Sequence, residues 1–211
     1  MNAAPAWQPV YDYWFPAGLD ASAARHREII MWWFAGGANA GLQPFAPLVA
    51  AARSGGLADW RASARGRLAL ILVLDQFPRG LFAGTPDAYA CDPLALETAE
   101  EGFRNGHYEA LAHPWEKTFF LLPLGHTEGP DHAKRLTRVV AMAERIAREA
   151  PEALRPLYQH SVRQARANLE LIAHFGRFPH RNPVLGRASS AEEQAYIDKG
   201  EFIHHRAPPK V

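Results

Sequence analysis

Three segments of the sequence concentrate side chains that could bind or react with a ligand. Residues 74–92 read LDQFPRGLFAGTPDAYACD, residues 122–132 read LPLGHTEGPDH, and residues 174–187 read HFGRFPHRNPVLGR. Each segment places charged or hydrogen-bonding groups directly beside aromatic and aliphatic ones, and each breaks the helical periodicity around it. Such segments are typical both of ligand sites and of buried structural networks.

The first segment carries a carboxylate in an apolar context. Asp75 follows seven apolar residues, LALILVL, so we expect it to be at least partly buried. A buried carboxylate needs a charged or hydrogen-bonding partner, because otherwise its pKa rises. Arg79 could be that partner if the helix continues, and Arg177 or Arg181 could reach it across the fold. Together with Asp92, these residues form either a buried salt-bridge and capping network or a cluster that faces a ligand.

The second segment offers candidates for acid–base chemistry. His126 with a nearby carboxylate, Glu128, is suited to proton transfer near neutral pH, and Asp75 could orient the pair. The catalytic candidates are therefore His126, Glu128 and Asp75. The alternative is a structural role, with Asp131 near the N-terminus of the next helix. The spacing from His126 to His132 does not match H-E-x-x-H and no cysteine assists, so we predict no metal site.

The third segment is rich in planar, multivalent hydrogen-bond donors. Two prolines stiffen it, which suits it to hold a carboxylate or a phosphate. The same side chains could instead satisfy the carbonyl groups of their own irregular backbone and the acids of the first segment. The predicted ligand-binding residues are Arg79, Arg177, His180, Arg181 and Asn182.

The remaining sequence has helical periodicity and must position these three segments. Apolar residues recur every three or four positions in 131–149 and in 151–175, and Gly176 is suited to end the second of these helices. The apolar run 68–74 is interpreted as a helix, because no partner for a strand is visible. Further helix starts are predicted at Asn39 (running to about Arg53), Ser63, Asp92, His113 and Ser190, with ends near Gly106 and Gly200. We predict an all-α fold of about eight or nine antiparallel helices.

Composition restricts the class of protein. With 48% hydrophobic residues the chain can bury a substantial core, and we expect one domain over residues 1–211 with a disordered tail at 204–211. A net charge of +1 and the lack of a basic, aromatic helix face argue against nucleic acid as a partner. The lone Cys91 excludes an intrachain disulfide.

We find neither a signal-peptide pattern nor a nucleotide-binding motif, and we expect a cytoplasmic protein with no membrane partner and no cofactor. The sequence does not indicate an oligomeric state.

The three segments together resemble the signature blocks of a known family. LALILVLDQFPRGLFAGTPDAYACDPLAL, LPLGHTE and FGRFPHRNPVLGR, followed by the Ser190-x-x-Glu193 capping pattern, are similar to blocks of the bacterial domain of unknown function 924 family. The aromatic pairs Trp14-Phe15 and Trp33-Phe34 and the stretch GLADW agree with this resemblance. It implies an all-helical fold with tetratricopeptide-repeat-like stacking, and it supplies no established activity.

Four positions depart from the family pattern. Gly80 stands in place of the usual Asn, Gly125 in place of Glu, Asn168 in place of His and Asn39 in place of Asp. The last three departures each remove an ionisable group. If the family acts through those groups, we expect this member to be altered.

Three hypotheses for function follow. The first is a binding module whose three segments converge on a polar pocket for a small anionic molecule or a peptide carboxylate. The second is an enzyme that uses His126 and Glu128 as acid and base on an anionic substrate. The third is a protein-interaction scaffold in which these motifs are purely architectural. A solvent-accessible cavity shared by the three segments would favour the first two.

Overall fold

The computed structural model describes residues 4–202 and residue 209, and within them every regular element is helical. The α-helices are α1 Gln8–Trp14, α2 Ala23–Phe34, α3 Ala46–Arg53, α4 Ala64–Ile71, α5 Phe77–Leu81, α6 Asp92–Arg104, α7 Pro114–His126, α8 His132–Glu149, α9 Arg155–Phe175 and α10 Ala191–Lys199. A π-helical turn, Leu72–Gln76, joins α4 to α5. If α4, the π-turn and α5 are counted as one continuous helix, the described part of the chain contains nine helices. The all-α prediction is confirmed. Apart from Pro209, the predicted tail 204–211 lies outside the described residues.

Most predicted helix boundaries agree with the structure, because the capping side chains act locally. The Ser63 hydroxyl accepts a hydrogen bond from the Gly66 N–H at the start of α4. Ser190 and Glu193 form a reciprocal capping box at the start of α10. Gly176 ends α9 in the left-handed conformation, φ 71°, which a residue with a Cβ adopts at a cost.

The helix predicted from Asn39 is the main error in the element assignment. Residues 37–41 and 43–45 form 3₁₀ turns, and α3 begins only at Ala46. Two prolines explain the difference, since Pro44 and Pro47 lack the N–H that an α-helical interior requires. The chain therefore forms 3₁₀ turns up to Phe45, and the α-helix begins at Ala46, where Pro47 falls in its first turn and needs no N–H partner.

The helix formed by α4, the π-turn and α5 lies at the centre of the protein. All seven residues of the apolar run 68–74 are buried. Burying one side chain of this size contributes about 1.5–3 kcal/mol, so the run is a major part of the core. A continuous cluster of buried apolar residues extends around it from Val10 in α1 to Val162 in α9.

Helices α7, α8 and α9 form one wall beside this central helix. The start of α8 packs against the end of α9, because Leu136 shares a cluster with Ile172 and Phe178. The two helices therefore run in opposite directions. The end of α7 approaches the start of α8 closely, since a Cβ built on Gly125 would lie 3.4 Å from the Leu136 side chain. None of the helices in the described part combines the length and hydrophobicity that a bilayer span requires.

Candidate functional site

The three segments singled out in the sequence meet at one cavity of about 570 Å³. It lies between the central helix, helices α7–α9 and the segment that follows α9. The first segment contributes Arg79 and Tyr89, the second His126, and the third His180 and Arg181. Small-molecule sites have volumes of about 300–1,000 Å³, so a cavity of this size can hold a metabolite-sized ligand.

A π-turn brings Asp75 and Arg79 to the edge of this cavity. Pro78 cannot donate a hydrogen bond to the Leu74 carbonyl, and its ring would crowd that carbonyl in a regular α-helix. The helix widens to a π-turn at Leu72–Gln76 and then continues through Pro78. π-turns of this kind are frequent at functional sites. Arg79 donates from Nη1 to the Asp75 carbonyl, and the same nitrogen lies 3.3 Å from the Asp75 carboxylate.

Asp75 is fully buried and is held as a carboxylate by its neighbours. His126 Nδ1 lies 2.9 and 3.0 Å from its two oxygens, and Gln76 Nε2 donates to one of them. Burial alone raises the pKa of Asp75. The charges of Arg79 and His126 and the hydrogen bonds outweigh that effect, and the pKa lies well below its usual value. Asp75 is therefore ionised at neutral pH and accepts hydrogen bonds only.

The pairing with Asp75 fixes the orientation of the His126 ring. His126 is the last residue of α7, its side chain is 26% exposed, and it lines the cavity. Because a carboxylate only accepts hydrogen bonds, Nδ1 of His126 carries the shared proton. Nε2 makes no hydrogen bond to the described residues. In the neutral ring Nε2 has a free lone pair, so it can accept a proton or a hydrogen bond from a bound molecule.

A second buried carboxylate, Asp92, joins two arginines behind the cavity wall. Arg79 Nη2 lies 2.8 and 3.0 Å from its two oxygens, and Arg181 Nη1 lies 3.3 Å from one of them. Burial raises the pKa of Asp92, and the nearby charge of Asp75 adds to that rise although the arginines oppose it. Two arginines and two aspartates thus balance in charge at this end of the cavity.

Arg181 is positioned by aromatic stacking as well as by charge. Its guanidinium carbon lies 4.4 Å from the centre of the Tyr89 ring and 4.6 Å from that of Phe178. The residue is only 5% exposed, and it lines the cavity. Only Nη1 is engaged by Asp92. Nε is buried without an acceptor among the described residues. Within the described part of the chain the guanidinium makes one hydrogen bond, from Nη1, so Nη2 is unengaged there. Burial, together with the neighbouring charge of Arg79, lowers the pKa of Arg181.

Three of the predicted site residues lie outside the cavity wall and hold the third segment in place. Arg177 binds Glu193 with two hydrogen bonds of 2.6 and 2.8 Å. Asn182 is fully buried and donates to Ser189 at 3.0 Å. Glu128 does not pair with His126.

Glu128 instead accepts hydrogen bonds from the third segment. Its partners are Arg187 and, at 2.7 Å, the N–H of Phe178. Burial raises the pKa of Glu128, but these two partners outweigh it and the pKa lies below its usual value. Glu128 thus ties the second segment to the third behind the cavity wall. The proton-transfer pair that the structure offers is His126 with Asp75.

Sequence reasoning missed the cavity wall on α8 and α9. The residues concerned are Leu136, Val139, Ala143, Ile146, Tyr158, Ser161, Gln164, Ala165 and Asn168. On α8 the apolar stripe is indistinguishable in sequence from an ordinary core stripe. On α9 the signal was available, because Ser161, Gln164 and Asn168 recur at three and four positions beside the apolar stripe.

The four positions expected to depart from the family pattern lie on this cavity. Asn39, Gly80, Gly125 and Asn168 belong to its wall. Two of these positions are close in space, since a Cβ on Gly80 would lie 2.5 Å from the Asn39 side-chain oxygen. Residues at these four positions therefore lie where a bound molecule could contact them.

The described part of the chain contains no cluster of side chains suited to bind a metal ion. No group of three or more His, Cys, Asp or Glu side chains there is arranged to hold an ion.

Comparison with known proteins identifies the family. Residues 10–201 match the family of bacterial proteins of unknown function DUF924. A solved structure of a protein of unknown function from Agrobacterium tumefaciens is similar to this chain, with a TM-score of 0.68 and 31% sequence identity. The similarity covers 92% of this chain and 97% of that protein. No curated protein matches. On this evidence the chain belongs to the DUF924 family.

Proposed function

We propose that the protein binds a small anionic molecule in the cavity. The observation that carries this proposal is the sign of the charges on the wall. The described lining residues include Arg79, Arg181, His126 and His180 but no aspartate or glutamate. The balancing carboxylates, Asp75 and Asp92, lie behind the wall and face the cations from the protein side.

Arg181 is the central residue of the proposed site. Its cost of burial is offset within the fold by Asp92 and by two aromatic faces. An anion that reaches the unengaged Nη2 would therefore form a charge-assisted hydrogen bond to a side chain that is already ordered. Because Arg181 is only 5% exposed, water screens that contact poorly.

Titration with small anions tests the proposal. Trp14 and Trp33 line the cavity, so their fluorescence can report binding. The probes are inorganic phosphate and a panel of aliphatic and aromatic carboxylates. We expect saturable binding of at least one probe and a loss of affinity of about tenfold or more in Arg181→Gln, which is the cost of about one charged hydrogen bond.

The matched control is Arg166→Gln, which removes an exposed arginine on α9 whose partner is Glu144. This variant should bind the probes as the unmodified protein does. Circular dichroism and thermal melting establish that both variants are folded. Equal affinity in folded Arg181→Gln, or no binding of any probe, would refute the proposal.

Acid–base catalysis is a second candidate, supported by the contact between Asp75 and His126. A buried carboxylate on Nδ1 can stabilise the imidazolium that forms when Nε2 accepts a proton. Turnover of a panel of chromogenic carboxylic esters tests this candidate. We expect His126→Gln to lower kcat by about 10²–10⁴-fold and Asp75→Asn to lower it less, with anion affinity largely kept. Turnover that is unchanged in His126→Gln would exclude His126 as the base.

A further inference from the structure

We infer that the ligand is an amphiphile with a single carboxylate and an extended apolar body. This inference rests on the proposed function and specifies its ligand class. It follows from the length of the cavity and from the separation of charged and apolar residues along it.

The cavity extends along three helices. Its wall includes residues 118–126 of α7, 136–146 of α8 and 158–168 of α9. Ten residues of α-helix rise about 15 Å, so the wall is long compared with a carboxylate group. Because α8 and α9 run in opposite directions, residue 168 lies near the start of the α8 stretch and residue 158 near its end. The cavity therefore has two ends.

The two ends differ in chemistry. At the end formed by the C-terminus of α7, the wall carries His126 beside Arg79 and Arg181. At the opposite end it carries Ile146 and Tyr158. No lysine or arginine of the described wall lies at that opposite end, so a second anionic group would find no counter-charge there. A monocarboxylate fits this distribution and a dicarboxylate does not.

The face of α8 between the two ends is apolar. Leu136, Val139, Ala143 and Ile146 present one continuous stripe to the cavity. Leu136, Ala143 and Ile146 are at most 8% exposed and Val139 is half-buried, so a small hydrophilic anion would leave mainly Val139 in contact with water. An alkyl or aryl body that packs against this stripe would itself leave water, and each added methylene would tighten binding by about two- to fourfold while it still finds wall to contact.

Phe34 marks the apolar end. It is 49% exposed, and no other large hydrophobic side chain of the described residues is exposed. Its ring stacks on Phe119 at 5.8 Å between centroids and 5° between planes, and it lines both the cavity and a small adjoining pocket that includes Tyr158 and Ser161. An apolar ligand tail that reaches this end would cover a ring that is otherwise half in solvent.

A series of straight-chain carboxylates tests the inference. Butyrate, hexanoate, octanoate and decanoate are titrated below their micelle concentrations by calorimetry and tryptophan fluorescence. We expect affinity to rise about two- to fourfold per methylene until the body fills the cavity. Octanol, octylamine and octanedioate have comparable bodies with other ends, and each should bind at least tenfold more weakly than octanoate.

The failures of the two proposals are distinguishable. Affinity that is independent of chain length, or equal for octanoate and octanedioate, overturns the amphiphile and leaves anion binding standing. Octanol binding as tightly as octanoate shows an apolar site without anion selectivity, which overturns both. No binding of any carboxylate or of phosphate overturns the proposed function itself.

Two substitutions localise the apolar body. Ala143→Phe adds a ring to the cavity face of α8, while Ala141→Phe adds the same ring to its exposed face and is the matched control. We expect Ala143→Phe to weaken decanoate by tenfold or more and butyrate by less than twofold. Phe34→Ala, at an exposed position that tolerates truncation, should also weaken decanoate selectively. If both variants bind decanoate as the control does, the body does not lie along α8.

Discussion

The burial of a single side chain can be predicted from its sequence neighbours more reliably than its interaction partners can. The apolar run before Asp75 predicts its burial, and the structure buries it fully. Its spacing to Arg79 predicts one partner correctly, because the helix continues through Pro78. Its other partner, His126, is 51 positions away, and spacing carries no information about such a contact. For the same reason the sequence predicts Glu128, which is near His126 along the chain, as the acid–base partner, whereas the structure pairs His126 with Asp75.

His132 gives a prediction at this scale because it is buried in its neutral form. Its Nε2 donates to the Gly125 carbonyl at 2.8 Å, beside His126. Burial, reinforced by the charges of Arg135 and Arg181, lowers its pKa to about 4, although the Gly125 hydrogen bond and Glu128 oppose this. In the unfolded chain a histidine has a pKa of about 6.5. As pH falls from about 6.5 to 4, the unfolded chain therefore binds a proton that the folded protein excludes.

This difference should cost about 3 kcal/mol of unfolding free energy by pH 4, and nothing above about pH 7. His132→Gln keeps a donor for the Gly125 carbonyl but cannot titrate. Urea unfolding of both proteins between pH 7.5 and 4 measures the effect. The wild-type protein should lose about 3 kcal/mol more than the variant over that range, with contributions of other groups cancelling in the comparison. Parallel pH profiles would show that His132 is not held neutral.

Helices were predictable where their signals are local, and the cavity wall was not. Ser63, the Ser190–Glu193 capping box and Gly176 each act on the backbone within a few residues, so the sequence predicts their helix ends. The π-turn has no comparable local pattern, since it depends on how Pro78 is accommodated in a buried helix. On α8 the same apolar stripe serves the core and the cavity. Only the packing of the neighbouring helices decides which part of such a stripe remains uncovered.

At the scale of the whole molecule, the cavity joins parts of the chain that are far apart in sequence. Its wall draws on residues from Trp14 in α1 to Arg181 after α9. The sequence predicts which three segments carry the polar and charged side chains. It does not predict whether these segments converge or how large a cavity they enclose. Because the wall is built by most of the fold, global unfolding destroys the site.

Ligand binding should therefore stabilise the entire protein against unfolding. A ligand at 100 times its Kd that binds only the folded state adds about 2.7 kcal/mol to the free energy of unfolding. For a chain of this size each kcal/mol raises Tm by about 2–4 °C, so decanoate at that concentration should raise Tm by about 5–10 °C in a single transition. Differential scanning calorimetry at several decanoate concentrations measures this shift. With an affinity about tenfold weaker, Arg181→Gln and Ala143→Phe should show about half of that shift or less at the same concentration, whereas Arg166→Gln and Ala141→Phe should match the wild type. Decanoate that binds by fluorescence yet leaves Tm unchanged would place its site outside this cavity, on a surface that does not require the folded assembly of α7, α8 and α9.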